Sequence, residues 1–196
     1  SSFLFAQPNS WVPAGPYGVN VNNGAYAIQS PITQLAGHES FPQMLVAATQ
    51  YGEIYKSQDG GQTWENQSLS LGTSRPISAL EISPTQPNII FMGSQSRLFK
   101  SIDGGASWST ILQIDNLRIN EILVHPNNQD VLVSSAKGLF RSTNHGQNWT
   151  KLDEAHYFDI AQSPTNPNEC YFLKKAFNSA PLQLIQSTDF GTTLTE

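Results

Sequence analysis

The sequence has 196 residues, enough for one domain with a sizeable core, and its charged fraction of 13% is about half that of a typical soluble domain. A net charge of −5 with few, scattered Lys and Arg argues against a nucleic-acid partner, because phosphate binding needs a clustered basic face. No apolar run approaches the roughly 18 residues that span a bilayer, so no transmembrane segment is expected. From the N-terminus, "SSFLFAQ" is apolar and turns abruptly to "PNSW". This reads as the remnant of a signal peptide over residues 1–6, with Ala6 before the cleavage point and Gln7 opening the exported chain. An ordinary apolar strand is the competing reading.

Four-residue to seven-residue apolar segments follow, bounded by Gly, Pro, Asn and Asp, with no helical period sustained over two turns. "MLVAA" at 44–48 and "GEIYKS" lead to "SQDGGQTW" at 57–64. The octet returns as "SIDGGASW" at 101, "STNHGQNW" at 142 and "STDFGTTL" at 187, in steps of 44, 41 and 45 residues. A Pro/Asn turn keeps the same pace: "SPTQPN" at 83, "HPNNQD" at 125 and "SPTNPN" at 163. Each unit therefore reads as an apolar strand, a Pro/Asn turn, a second strand, a third ending in the octet, and a fourth starting at its tryptophan. Four short antiparallel strands in about 42 residues, repeated, is the pattern of a propeller blade.

Within the octet the residue types suit a tight hairpin. Gly61, Gly105, Gly146 and Gly191 supply positive φ. Asp59, Asp103, Asn144 and Asp189 can accept backbone N–H groups inside the turn, and Ser57, Ser101, Ser142 and Ser187 can do so more weakly. Trp64, Trp108 and Trp149 follow the turn and can pack between blades, with Leu194 in the fourth place. These residues are read as scaffold, with no catalytic role.

The octets resemble the Asp-box, or bacterial neuraminidase repeat, of sialidases, sortilin-type receptors, xyloglucanases and photosystem II assembly factors. The resemblance covers roughly residues 11–196, and "WVPAGPYGVNVN" resembles the opening of secreted bacterial propellers with this repeat. It implies an all-β fold, a β-propeller of six to ten four-stranded blades; with four boxes present, residues 7–196 read as the N-terminal part of such a propeller. A four-blade ring closed by a strand at Trp11 is the alternative. It implies no single activity. The Trp11–Trp64 and Pro31–Pro84 steps are both 53 residues, which places an enlarged loop in "TQLAGHESFP".

Aligning the first strands on their prolines puts Glu121 and Asp159 at equivalent positions on neighbouring inner strands. Two facing carboxylates are the raw material of a glycosidase, and the pair is the weak candidate for catalysis. The sialidase arginine motif and the xyloglucanase N-terminal pattern are both absent. His38, His125, His145 and His156 share no metal-ligand spacing, Cys170 sits in an apolar run, and no cofactor or metal is expected. The reading is a non-catalytic, exported binding module, secreted or on the surface of a bacterium. Its partner is a protein, peptide or polysaccharide, with Tyr17, Tyr26 and Tyr51 among the aromatics on its loops. A glycoside hydrolase is the alternative.

Overall fold

The apolar segments form strands wherever β-branched and aromatic residues alternate between Pro/Asn turns and glycine hairpins. The computed structural model describes residues 19–21, 24–26, 31–67, 76–113, 118–175 and 181–196, and these contain no helix. A small hairpin, β1 (Val19–Val21) with β2 (Gly24–Tyr26), lies beside the outer edge of the first blade. Blade 1 runs β3 (Ile32–His38), β4 (Phe41–Thr49), β5 (Ile54–Ser57) and β6 (Glu65–Asn66). Blade 2 runs β7 (Ile77–Ile82), β8 (Ile90–Ser94), β9 (Arg97–Ser101) and β10 (Ser109–Gln113). Blade 3 runs β11 (Ile119–Val124), β12 (Val131–Ser135), β13 (Gly138–Ser142) and β14 (Thr150–Asp153). Blade 4 has β15 (His156–Gln162), β16 (Cys170–Lys175) and β17 (Leu182–Ser187), and Thr195 bridges Gln186 where a fourth strand starts. Every sheet is an antiparallel meander in chain order.

The blades stack face to face, so their middle strands are apolar on both sides. In β8, Ile90 and Met92 pack with Val46, Ala48 and Ile54 of blade 1, while Phe91 packs with Val131 and Val133 of blade 3. In β12, Leu132 turns the other way, onto Cys170 and Phe172 of blade 4. Each fully buried Ile, Leu or Phe here contributes about 1.5–3 kcal/mol. The outer flanks break the pattern. Leu35 of β3 is 63% exposed, where Leu80, Ile122 and Ile160 at the same register are buried. Leu184 of β17 is 66% exposed, where Ile54, Leu98 and Leu139 are buried.

Two ladders of side-chain hydrogen bonds tie each blade to the next. Along the inner strands, Thr33 Oγ1 donates to the Ile77 carbonyl at 2.8 Å, Ser78 Oγ to Ile119 at 2.6 Å, and Asn120 Nδ2 to Tyr157 at 2.6 Å. Further out, the cation before the serine of each of the first three boxes reaches into the next box. Lys56 donates to the Gly104 carbonyl at 3.0 Å, Lys100 to His145 at 2.8 Å, and Arg141 to the Thr192 hydroxyl. A Cβ at Gly104 would meet Lys56 Nζ at 2.6 Å, so this box glycine also clears the path of the cation. Both ladders stop at blade 4. Phe158 stands at the inner-strand donor position and Gln186 at the cation position, where it turns back to Glu169 within its own blade.

The proline alignment used for the first unit is corrected by the strands. β3 starts after Pro31 as β7 starts after Pro76, so Pro31 matches Pro76 and not Pro84. Ala36 pairs with Val46 as Glu81 pairs with Phe91, and the two hairpins have the same length. "TQLAGHESFP" is therefore no insertion but β3 itself, a two-residue turn and the start of an extended β4. The two readings placed on Trp11 and on residues 1–6 lie outside the described residues, as do Tyr17 and the side chain of Tyr26.

Candidate functional site

The two ends of the blade arc differ in chemistry. The Pro/Asn turns and the Asp-boxes share one end, because both connect strands that leave the same edge of an antiparallel meander. In the first box Ser57 Oγ donates to Asp59 Oδ1 at 2.8 Å and accepts the Gly61 N–H at 2.8 Å. Asp59 also accepts the Thr63 N–H at 2.9 Å and the Thr63 hydroxyl at 2.6 Å. Ser101 and Asp103 repeat this with Gly105 and Ser107, and Ser187 and Asp189 with Gly191 and Thr193. The Thr63 and Ser107 bonds, followed by those from Ser57 and Ser101, hold the Asp59 and Asp103 carboxyls down to about 2. These carboxylates stay ionised and their lone pairs are taken up by the turn.

Asn144 does the same work without a charge, accepting Ser142 Oγ at 3.0 Å and the Asn148 N–H at 2.8 Å. In this box the left-handed slot falls on His145 (φ 59°) ahead of Gly146, and in the fourth on Phe190 (φ 53°) ahead of Gly191. The tryptophan indoles close the hairpins: Trp64 Nε1 donates to Gly61, Trp108 to Gly105, and Trp149 to both Gly146 and Ile111 of blade 2. Leu194 packs against the third core cluster in place of an indole.

At the opposite end, the β4–β5, β8–β9 and β12–β13 turns meet the starts of the inner strands. Here stand Tyr51 on its turn, Arg97, Arg118 and Lys137, all exposed, with Lys174 and Lys175 half-buried. His156 and Phe158 stack with ring centroids 3.9 Å apart, and Phe158 is exposed. Burial and the neighbouring Lys175 ammonium hold the His156 imidazole below its ordinary value. The acids at this end are partly consumed: Asp153 accepts from Tyr157 at 2.6 Å and pairs with Lys174 at 3.3 Å. Cations that look scattered along the chain are thus gathered at one end of blades 2–4, which linear spacing concealed.

Glu121 and Asp159 fall at the same register of β11 and β15. Each carboxylate accepts the N–H of the next residue, Ile122 at 3.2 Å and Ile160 at 2.9 Å. Burial, with Asp159 adding its charge against a backbone hydrogen bond, raises the Glu121 carboxyl. Glu81, which sequence reasoning passed over, is pushed up to about 8 by burial and by Glu121. Its signal was legible: a lone acid in the inner-strand segment "ISALEI". Among the described residues no cluster of three His, Cys, Asp or Glu is spaced for a metal ion. Cys170 is buried and its thiol is pushed up to about 12.

The family model for photosynthesis system II assembly factor YCF48 matches residues 36–170. Solved structures share the fold at low identity. An ancestral GH74 enzyme is 18% identical with a TM-score of 0.71, over 96% of this chain and 25% of that one. The GH74 xyloglucanase of Xanthomonas campestris is 12% identical with a TM-score of 0.56, over 84% of this chain and 38% of that one. YCF48 bound to D1 peptide is 16% identical with a TM-score of 0.54, over 84% of this chain and 81% of that one. The chain therefore spans only part of the two GH74 proteins. No curated protein matches it.

Proposed function

We propose that this chain, which belongs to the photosynthesis system II assembly factor YCF48 family of Asp-box propellers, is a non-catalytic module that binds a protein or peptide on the face opposite its boxes. The observation carrying this is the division of labour between the two ends. The box carboxylates are spent on their own turns, while Arg97, Arg118, Lys175 and the His156–Phe158 stack are presented together at the other end. Aromatic and guanidinium groups of this kind anchor peptide interfaces. A relative of the same fold, YCF48, has been solved with a D1 peptide, which supports the peptide class of partner. The test is capture of partners by the full protein, with Phe158→Ala and Arg118→Glu/Lys175→Glu as variants. Loss of capture in both variants, with unchanged unfolding, supports the reading; full capture by both refutes it.

The second reading is a glycoside hydrolase. The raised Glu121 carboxyl, beside Asp159 on the adjacent strand, favours it as a general acid. It requires reducing-sugar release from a polysaccharide panel, abolished by Glu121→Gln or Asp159→Asn. Export of the chain, and further blades covering Leu35 and Leu184, belong to the same proposal. N-terminal sequencing of the mature protein checks the first, and the length of the reading frame checks the second.

A further inference from the structure

The gaps between successive blades at the box end are closed by a repeated side-chain pair, except for the first. The pair joins the residue four positions past the Gln34/Ala79/Glu121 register to a turn residue of the next blade. Between blades 2 and 3, Ser83 Oγ donates to Gln129 Oε1 at 2.8 Å, and Gln129 bonds on to Thr85. Between blades 3 and 4, His125 Nε2 lies 3.1 Å from Asn168 Oδ1, and its ring packs edge-on against Phe190. Between blades 1 and 2 the corresponding residues are His38 and Asn88, and they do not bond. His38 Nδ1 accepts the Ser40 N–H at 3.2 Å, which puts the proton of the neutral ring on Nε2. That N–H is buried and without an acceptor. The Asn88 amide makes no side-chain hydrogen bond among the described residues.

In place of the seal there is a groove of about 490 Å3 between the β3–β4 hairpin and the blade 2 turn. Phe41 forms one wall, 53% exposed, its ring edge-on to His38 at 5.1 Å. Gln43, Gln58 and Asn88 supply amides, and Pro87 a flat apolar surface. The one charged residue of the lining, Lys56, is committed to the Gly104 carbonyl, and Asp59 beside Gln58 is spent on its own turn, while the Glu39 carboxylate stands exposed in the β3–β4 turn outside the lining. What remains is a set of groups that each donate and accept, around one open aromatic face. That combination suits hydroxyl groups, which also donate and accept, on a ring with an apolar C–H face. The volume suits a short ligand.

We propose that this groove is a binding site for a short neutral oligosaccharide, with Phe41 as the stacking platform and Gln43, Gln58 and Asn88 as hydroxyl partners. It lies at the opposite end from the peptide surface proposed above and does not depend on it. The experiment is a titration of the full, folded protein with cellotetraose, followed through the side-chain amide resonances of Gln58 and Asn88. An acetylated tetra-alanine amide of similar length serves as the competing ligand class. Saturable shifts with the sugar are expected, about tenfold weaker in Phe41→Ala and retained in Phe41→Tyr. Because Phe41 is exposed, the unfolding midpoint should not move. Absence of saturable shifts, shifts undiminished in Phe41→Ala, or a response to the peptide without one to the sugar would each overturn the proposal.

Discussion

Replacing Glu81 by Gln should reshape the pH dependence of stability. Glu81 lies on inner strand β7 and shares the face of Ala79, which packs against blade 3. Burial, then the Glu121 charge, raises its carboxyl from 4.5 to about 8. A carboxyl raised on folding is bound to its proton more tightly in the native state, so stability falls as pH rises through the unfolded value and levels off above the folded one. At about 1.4 kcal/mol per pH unit, the loss between pH 4.5 and 8 is of the order of 4–5 kcal/mol. Gln keeps the shape and cannot ionise. Urea unfolding of both proteins at pH 4 and pH 9 is the assay. The two should be nearly equally stable at pH 4, and Glu81→Gln should be more stable at pH 9 by several kcal/mol. Parallel stability curves across this range would refute the reasoning.

Four further outcomes are expected. Ser78→Ala should cost about 1–2 kcal/mol in urea unfolding, because it removes the 2.6 Å bond to Ile119 and strands a carbonyl between blades. Gly138→Ala should cost about 2 kcal/mol or more, since φ is 144° there and a Cβ would stand 2.4 Å from the Asp153 carbonyl; a midpoint within error of the native one would contradict this. Asp103→Asn should be milder in thermal unfolding than Asp103→Ala, because Asn144 already makes the same turn bonds in the third box. The Cys170 thiol, buried and pushed up to about 12, should react with an aromatic disulfide reagent only as fast as the protein unfolds.

The blade pattern was legible because it is written twice, in the box and in the Pro/Asn turn, at one period. The inner-strand ladder was not, because Thr33, Ser78 and Asn120 are three different residue types doing one job. The outer ladder could have been found: a cation precedes the serine of the first three boxes and Gln186 that of the fourth. Pro31 misled because proline is favoured both before a strand and inside a turn, and only pairing distinguishes the two. The basic end of the arc was hidden for a related reason. Arg97, Arg118, Lys137 and Lys175 are far apart in sequence and come to the same end of their blades only through the antiparallel meander.

The measurement that tests the central claim most directly is hydrogen exchange of the full protein with and without its captured partner. Protection confined to the end carrying Arg97, Arg118, Lys137 and His156–Phe158, with the Asp-box turns unchanged, is the predicted result. Protection of the box turns with no change at that end would contradict a peptide-binding face opposite the boxes.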